Sequence, residues 1–462
     1  MRPASLLGIL LDLISELSAP GALPADARVG RFFRARRYLG SHDRRWISSA
    51  AYAWLRHGLR GEARWDAWVG AAGLPPRSHF DARIAPLGPL LAVAREGLFP
   101  WSPAELLEAA KGLQPPLGAS WMDILCRAAA ADALGGDAWP AEPAARAAAE
   151  GSLPRWLWER LAVERGEEDA RRLAAALFLE APVDLRVNLA KVSRDAAMAA
   201  LERQGGAGRV EPTPWSPMGI RIRARKNLGH FLARHPDWIE VQDEGSQVAS
   251  LCCEVQPGEV VVDACAGAGG KTVALIDIAA SVGGAVKDRE VEIHALDTDP
   301  RKLEELLRRL GARRARCTAG AIDPEGPLPT ELPRNADLVV VDAPCSGTGT
   351  LRRNPELKRG HGSEEIARFA SLQGAILARF APLVRPGGRL AYITCSLLAE
   401  ENEAVVERFL FGSGDFRAEL PEWAKAHLPP AALRGPYVAL DPVVTETDGF
   451  FVSILRRHRP AR

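Results

Sequence analysis

The sequence predicts an α/β protein: a parallel sheet covered on both faces by helices, preceded by an all-helical region and a small α+β module. Three observations carry this. After Gln242, short apolar runs alternate with amphipathic helical stretches, the rhythm of strands buried on both faces. Up to about residue 135 the periodicity is helical, with Pro/Gly punctuation and little strand signal. Between these regions, Val183–Asn188 alternates like a strand, followed by a helical pattern over Ser193–Gln204 and shorter strands up to Ile239. The expected division is a helical domain over 1–135, a linker over 136–153, the α+β module over 154–239 and the sheet domain over 240–462.

In order along the chain, Leu6, Leu10, Leu13, Ile14 and Leu17 share one helical face, and Asp12 and Glu16 interrupt any secretory leader. Arg45–Leu59 and Ser102–Gly112 read as helices, the second opened by Ser102-Pro103-Ala104-Glu105, an N-cap with a first-turn proline. The Gly/Ala/Pro-rich stretch from Gly135 to Gly151 reads as the linker, and Pro154–Leu179 is helical again. The sheet domain offers strands near 260–262, 291–296, 337–341 and 389–394, with helices near 271–278, 300–310, 363–380 and 400–410. Its strands end in Asp263, Asp297, Asp342 and Cys395. Ligands of open α/β sheets sit beyond the carboxyl ends of the strands, so these four positions should converge.

Composition narrows the class. The chain has 462 residues, 47% hydrophobic and 25% charged, with a formal net charge of +1; that is a multidomain globular protein without a global basic field. Arginines are nevertheless clustered, at Arg34–Arg37, Arg44–Arg45, Arg221–Lys226, Arg313–Arg314 and Arg352–Arg353, and local clusters can neutralise phosphates. Seven cysteines without a CxxC pair argue against a disulfide framework or zinc module. No apolar run reaches membrane-spanning length. The expectation is a cytoplasmic enzyme without a metal, acting as a monomer.

The motifs supply the chemistry. Val260–Asp263 leads into Ala264-Cys265-Ala266-Gly267-Ala268-Gly269-Gly270-Lys271-Thr272, a strand, a glycine turn and a helix start where backbone N–H groups can approach an anionic ligand. It is not a GxxxxGK[ST] phosphate loop, because the position five before Gly270 is Cys265. Asp297 follows about 30 residues later, at the end of the next strand, and suits ribose hydroxyls, whereas Asp299 before Pro300 suits a helix cap. Together they describe an adenosine-type ligand, a dinucleotide or S-adenosylmethionine. Asp342-Ala343-Pro344-Cys345 favours the methyl donor, since an acid-plus-proline turn of this kind grips an amino group beside it. Cys126, Cys252, Cys253, Cys265 and Cys317 read as small hydrophobes. Cys345 and Cys395 differ, because both follow strand ends in one expected cleft.

Six segments then resemble the RsmB/Sun-type RNA (cytosine-5) methyltransferases. They are Gln242–Gln247, the loop over Asp263–Thr272, Asp342–Gly349, Arg352–Glu356, Thr394-Cys395-Ser396 with Glu400-Glu401-Asn402, and Asp448-Gly449-Phe450-Phe451. Their order and spacing match over roughly 240–458. Phe32–Gly40 resembles the NusB-like helical domain of the bacterial ribosomal members, and Leu185–Asn188 their small RNA-binding module.

The resemblance implies a Rossmann-like class I methyltransferase fold using S-adenosyl-L-methionine on RNA, most simply 16S ribosomal RNA. Cys395 is then the nucleophile at carbon 6 of cytosine, Cys345 resolves the adduct, and Asp342 hydrogen-bonds the base. Cofactor contacts fall to Asp263, Cys265, Ala266, Gly267, Ala268, Gly269, Gly270, Lys271, Asp297 and Asp342. Lys271 is a candidate for lowering a thiol pKa or for binding donor or phosphate. Arg221, Arg223, Arg225 and Lys226 are the expected RNA contacts. The sequence departs from the pattern in three places. Ala268 replaces a common proline, and the 281–290 loop is long. The usual adenine-contacting Asp is displaced, so that either Asp323 takes the contact or Gly320 leaves it empty. A transfer-RNA methyltransferase or a non-catalytic assembly factor stays open; a DNA cytosine methyltransferase fits least, because its attacking thiol sits in the Pro-Cys motif.

Overall fold

A computed structural model describes residues 1–19, 24–79, 81–130, 138–203, 209–223, 228–282, 290–311, 313 and 316–458. The chain divides into two compact units: Met1–Glu180 with Leu351–Ser363, and Ala181–Thr350 with Glu364–Arg462.

The first unit is helical: α1 (Pro3–Ser18), α2 (Ala25–Ala35), α3 (Ser41–Ala71), α4 (Leu87–Arg95), α5 (Pro103–Lys111), α6 (Ala119–Ala130), α7 (Pro143–Glu150), α8 (Arg155–Arg165) and α9 (Glu167–Phe178). The apolar face read on α1 is buried, including Leu10 and Leu13 at 0% exposure. Ser102 and Glu105 form the reciprocal cap that opens α5. Helix α3 runs 31 residues, past the expected end at Leu59, and Gly61 on it lets α4 approach closely: a Cβ there would lie 2.6 Å from the Pro89 carbonyl.

The linker expectation needs correction. Pro143–Glu150 within it forms α7, with Ala147, Ala148 and Ala149 buried. Alanine was taken there as a mark of flexible composition, yet it is the strongest helix former. Helices α8 and α9 pack onward from α7 within this unit. The unit also takes in 351–363, assigned from sequence to the sheet domain. Arg56 donates to the Arg352 carbonyl (2.7 Å), Lys358 Nζ to the Arg56 carbonyl (2.9 Å), and Arg359 pairs with Glu62 (2.9 Å).

The second unit opens with the α+β module. Strands β1 (Val183–Val187), β2 (Val210–Pro212), β3 (Gly219–Ile222) and β4 (Ile239–Val241) form an antiparallel sheet in the order β2-β3-β1-β4, with α10 (Arg194–Arg203) and α11 (Gly229–Arg234) between them in sequence. After α12 (Glu244–Leu251) comes the large sheet. Its parallel half comprises β5 (Val260–Asp263), β6 (Glu292–Asp297), β7 (Arg316–Ala321), β8 (Ala336–Asp342) and β9 (Val384–Thr394), linked by α13 (Gly270–Val282), α14 (Pro300–Leu310) and α15 (Ser363–Phe380). After α16 (Glu403–Ser413) the chain adds β10 (Phe416–Glu419), α17 (Glu422–His427), β11 (Leu433–Arg434), β12 (Tyr437–Leu440) and β13 (Phe450–Arg457). The order is β11-β12-β13-β9-β8-β5-β6-β7, with β10 also on β13, whose pairings are antiparallel.

The Rossmann-like expectation holds. Val261, Val262, Leu338, Val339, Val340, Val341 and Ile393 are buried at 0% exposure, as strands covered on both faces require. The order reverses at β5, which pairs in parallel with both β6 and β8; that reversal opens the crevice where such folds bind ligands. The antiparallel strands β10–β13 were not read from sequence. Among the described residues, no helix is long and apolar enough to cross a membrane.

Candidate active site

Asp263, Asp297 and Asp342 close β5, β6 and β8, and Cys395 follows directly on β9. Their strands are neighbours in register, with Asp263 beside Val340 and Asp342 beside Ile393. The convergence expected from the strand ends is therefore realised.

The glycine loop folds back on the β6 end. Ala266 N donates to the Leu296 carbonyl (2.8 Å), and Gly267 N to Asp297 Oδ2 (2.9 Å). Asp297 Oδ1 accepts from Asp299 N (2.8 Å), while Asp299 caps α14, as its place before Pro300 implied. Gly269 has φ +89°, and a Cβ there would lie 2.3 Å from Leu306, so only glycine fits. Around Gly267 and Gly270 a Cβ would meet nothing within 4 Å, leaving backbone open for a ligand at the start of α13. Asp263 is fully buried and accepts from Thr272 Oγ1 (2.6 Å). Burial pushes its carboxyl up to about 6, opposed by the Thr272 hydrogen bond. Burial, with Asp263 behind it, pushes the Cys265 thiol above the usual range, which suits a wall residue. Ala268 costs the turn no contact; its carbonyl accepts from Arg309 (2.6 Å).

Beyond β8 and β9 lies the reactive edge. Cys345 Sγ and Cys395 Sγ are 3.4 Å apart, and both are part-buried. The hydrogen bond to Cys395 and then burial hold Cys345 well above the ordinary thiol range. Lys271 Nζ bonds Ser246 Oγ (2.9 Å) and Asp342 Oδ2 (3.3 Å), and lies 5.0 Å from the centre of the Phe450 ring. Lysine and carboxylate thus form one ion pair at the end of β8. Lys271 is 5% exposed, and an ion pair so shielded from water is a strong one.

The loops carrying the thiols interlock. Gly349 N donates to the Cys395 carbonyl (2.9 Å), and Gly449 N to the Gly349 carbonyl (2.8 Å). A Cβ on Gly349 would lie 2.3 Å from the Gly449 carbonyl oxygen. Asn402 Oδ1 accepts from Thr394 Oγ1 (2.5 Å), and its amide donates to the Ser396 carbonyl (3.0 Å).

Sequence comparison agrees with this geometry. The family profile described as 16S rRNA methyltransferase RsmB/F matches residues 250–456, and the RsmF/B-like ferredoxin-like domain matches residues 153–228. The ribosomal RNA small subunit methyltransferase B of Pseudomonas syringae pv. tomato is 31% identical over 393 residues, 82% of each chain. The chain belongs to the RsmB/F family. The probable ribosomal RNA small subunit methyltransferase B of Synechocystis sp. is 32% identical over 313 residues, 66% of this chain and 67% of that one. Among solved structures, the one described as PH0851 shares the fold at TM-score 0.75 and 22% identity, covering 99% of both chains. A methyltransferase homologue from Pyrococcus horikoshii aligns at TM-score 0.55 and 25% identity, over 68% of this chain and 99% of that one. The RsmB/F fold is thus a methyltransferase fold, and the open glycine loop beside Asp297 fits S-adenosylmethionine as its cofactor.

One expected contact of the RsmB/F chain is not where the sequence suggested. Arg221 is 2% exposed as a side chain and forks onto Asp184 (2.8 and 2.9 Å), with Glu244 at 3.4 Å. A guanidinium so enclosed cannot reach a phosphate. The reason is strand pairing, since Asp184 on β1 faces Arg221 on β3. Arg223 is half-exposed and paired with Glu211 (2.5 Å). Arg225 and Lys226 lie outside the described residues, as does most of the 281–290 loop. Asp323 sits two residues past β7, exposed, and accepts from Glu325 N (3.0 Å) in a local turn. Gly320 lies within β7 opposite Leu296, which places it, rather than Asp323, inside the sheet edge.

The residue that sequence reasoning quoted without a role is Glu401. It is 0% exposed and joins both thiol loops. Its signal was the Glu400-Glu401-Asn402 stretch quoted with Thr394-Cys395-Ser396 in the resemblance.

Proposed function

We propose that this RsmB/F member methylates carbon 5 of a cytosine in small-subunit ribosomal RNA through a covalent adduct with Cys395. The observation that carries this is the pair of thiols 3.4 Å apart at adjacent strand ends, on the sheet edge where Asp342 pairs with Lys271.

S-adenosylmethionine, when bound, supplies an electrophilic methyl group. Gly267 and Gly270 would hold it through the open backbone, Asp297 through the ribose, and Asp263, Cys265, Ala266, Ala268, Gly269, Lys271 and Asp342 would line the site. The adenine contact falls to the β7 end, at Gly320 or Asp323. Carbon 5 of cytosine is a poor nucleophile. Attack of the Cys395 thiolate on carbon 6 makes carbon 5 enamine-like and able to take the methyl group. Asp342 meets the amino and ring-nitrogen edge of the base, and Lys271 adds positive charge where electrons accumulate. Transfer of the carbon 5 proton to solvent leaves its electron pair to form the 5,6 double bond, which expels the Cys395 thiolate from carbon 6 and restores the ring. Cys345, held protonated by its surroundings, directs its S–H at Cys395 Sγ as that sulfur departs. Two sulfurs in contact thus act as nucleophile and resolving partner.

The base must leave its stack to reach these sulfurs, which favours an unpaired cytosine. We assign placement of the RNA to the helical unit, where Arg34, Arg37 and Arg45 are exposed and Tyr38 is 67% exposed, and to Arg223, Arg225 and Lys226. A ribosomal substrate places the enzyme in the cytoplasm. Labelled-methyl transfer to ribosomal RNA, small subunits and transfer RNA in parallel tests the reading. Incorporation at one cytosine of small-subunit RNA supports it; incorporation into transfer RNA alone overturns the substrate.

A further inference from the structure

We infer that Glu401 is a positioning residue that sets the spacing of the two thiols by holding the residue that follows each of them. The inference rests on the roles assigned above to Cys395 and Cys345.

Ser346 follows Cys345, and Ser396 follows Cys395. The Glu401 carboxylate accepts from both. Its Oε1 takes Ser346 N–H (2.9 Å) and Gln373 Nε2 (3.0 Å); its Oε2 takes Ser346 Oγ (2.5 Å) and Ser396 Oγ (2.6 Å). Gln373, buried on α15, also donates to the Pro344 carbonyl (3.0 Å), the peptide before Cys345. Two strand-end loops and a helix therefore meet on one carboxylate.

The chemistry requires a carboxylate there. All four donors are neutral, and burying an anion without a cation is costly, so a mere spacer would not need the charge. Only an ionised carboxylate offers acceptors to four convergent donors; an amide of the same shape turns an N–H toward N–H and O–H groups. The charge also adds to the hydrogen bond and burial that keep Cys345 protonated, so it separates the two sulfurs by role as well as fixing their positions. A displacement of about 1 Å at a reacting atom can cost on the order of a hundredfold in rate.

The test compares Glu401→Gln, Ser346→Ala, Ser396→Ala, Cys395→Ala and the wild-type full chain. One readout is single-turnover methyl transfer to small-subunit RNA. The second is independent of the reaction: the yield of Cys345–Cys395 cross-link with the bifunctional thiol reagent dibromobimane, with Cys345→Ala as blank. We expect E401Q to bind the donor normally and to lose on the order of a hundredfold in rate, with a reduced cross-link yield. S396A should slow adduct formation, whereas S346A should slow adduct release. That split is one a merely structural tie would not produce. If E401Q does not fold, the two serine variants, which keep the carboxylate, decide. Wild-type rate and cross-linking in E401Q, or in both serine variants, overturns the inference while Cys395→Ala stays inactive. Turnover by Cys395→Ala would instead overturn the assigned reaction.

Discussion

Two clusters in the second unit were read from sequence as functional, the cationic run at 221–226 and the thiols at 345 and 395. The structure treats them in opposite ways. Arg221 is sealed between Asp184 and Glu244, whereas the two sulfurs stay part-buried at the carboxyl edge of the parallel sheet. The difference lies in what supported each expectation. The thiols were placed by topology, because residues after parallel strands must share one edge. The arginines rested on residue type alone, and residue type does not reveal the facing strand. Asp184, 37 residues upstream, paired Arg221.

The largest effect should come from breaking the thiol edge. Cys395→Ala is expected to abolish methyl transfer while leaving donor affinity intact, measured by labelled-methyl incorporation beside calorimetric binding. Appreciable turnover would remove the contrast between this sulfur and the five others read as structural.

Next in size, Cys345→Ala should methylate but fail to release, leaving a protein–RNA adduct that survives denaturing electrophoresis. Clean multiple turnover would assign release elsewhere.

On the arginine side, Arg221→Ala strands two buried carboxylates. It should lower stability by about 3–5 kcal/mol, read as a shifted urea midpoint, without changing RNA affinity of the folded protein. Arg223→Ala, at the exposed position, should shift stability by no more than about 0.5 kcal/mol. Equal stability in the two variants, with RNA affinity lost only in Arg221→Ala, would reverse the comparison.

The smallest effect sharpens the cofactor side. Asp263 has a folded pKa of about 6 against an ordinary 3.8. The folded state therefore holds this proton more tightly than the unfolded state. Its stabilising contribution is complete below 3.8 and is lost as pH rises to about 6. Asp263→Asn does not titrate, so its stability relative to wild type should climb between those pH values and then level off. Urea midpoints from pH 3.5 to pH 7 check this, and a flat difference would contradict the burial of an ionising carboxyl.

The same contrast explains how far the sequence could be read. The alternating sheet, the glycine loop with Asp297, and the Asp299 cap were legible because each is a local pattern of one strand, one turn or one helix start. Arg221–Asp184, the seat of 351–363 among the helices and the Glu401 contacts join residues far apart in sequence or in different loops, and no local period records them. Ala-rich α7 was missed for another reason: alanine is compatible with both a linker and a helix, and only burial of Ala147–Ala149 distinguishes them.

The central claim is that Cys395, not Cys345, bonds to the base. RNA carrying 5-fluorocytidine at the target halts the reaction after methyl transfer, since carbon 5 then has no proton to lose. Digestion and mass spectrometry of the trapped complex should find the nucleotide on Cys395, with no adduct in Cys395→Ala. A nucleotide mapped to Cys345 would contradict the account.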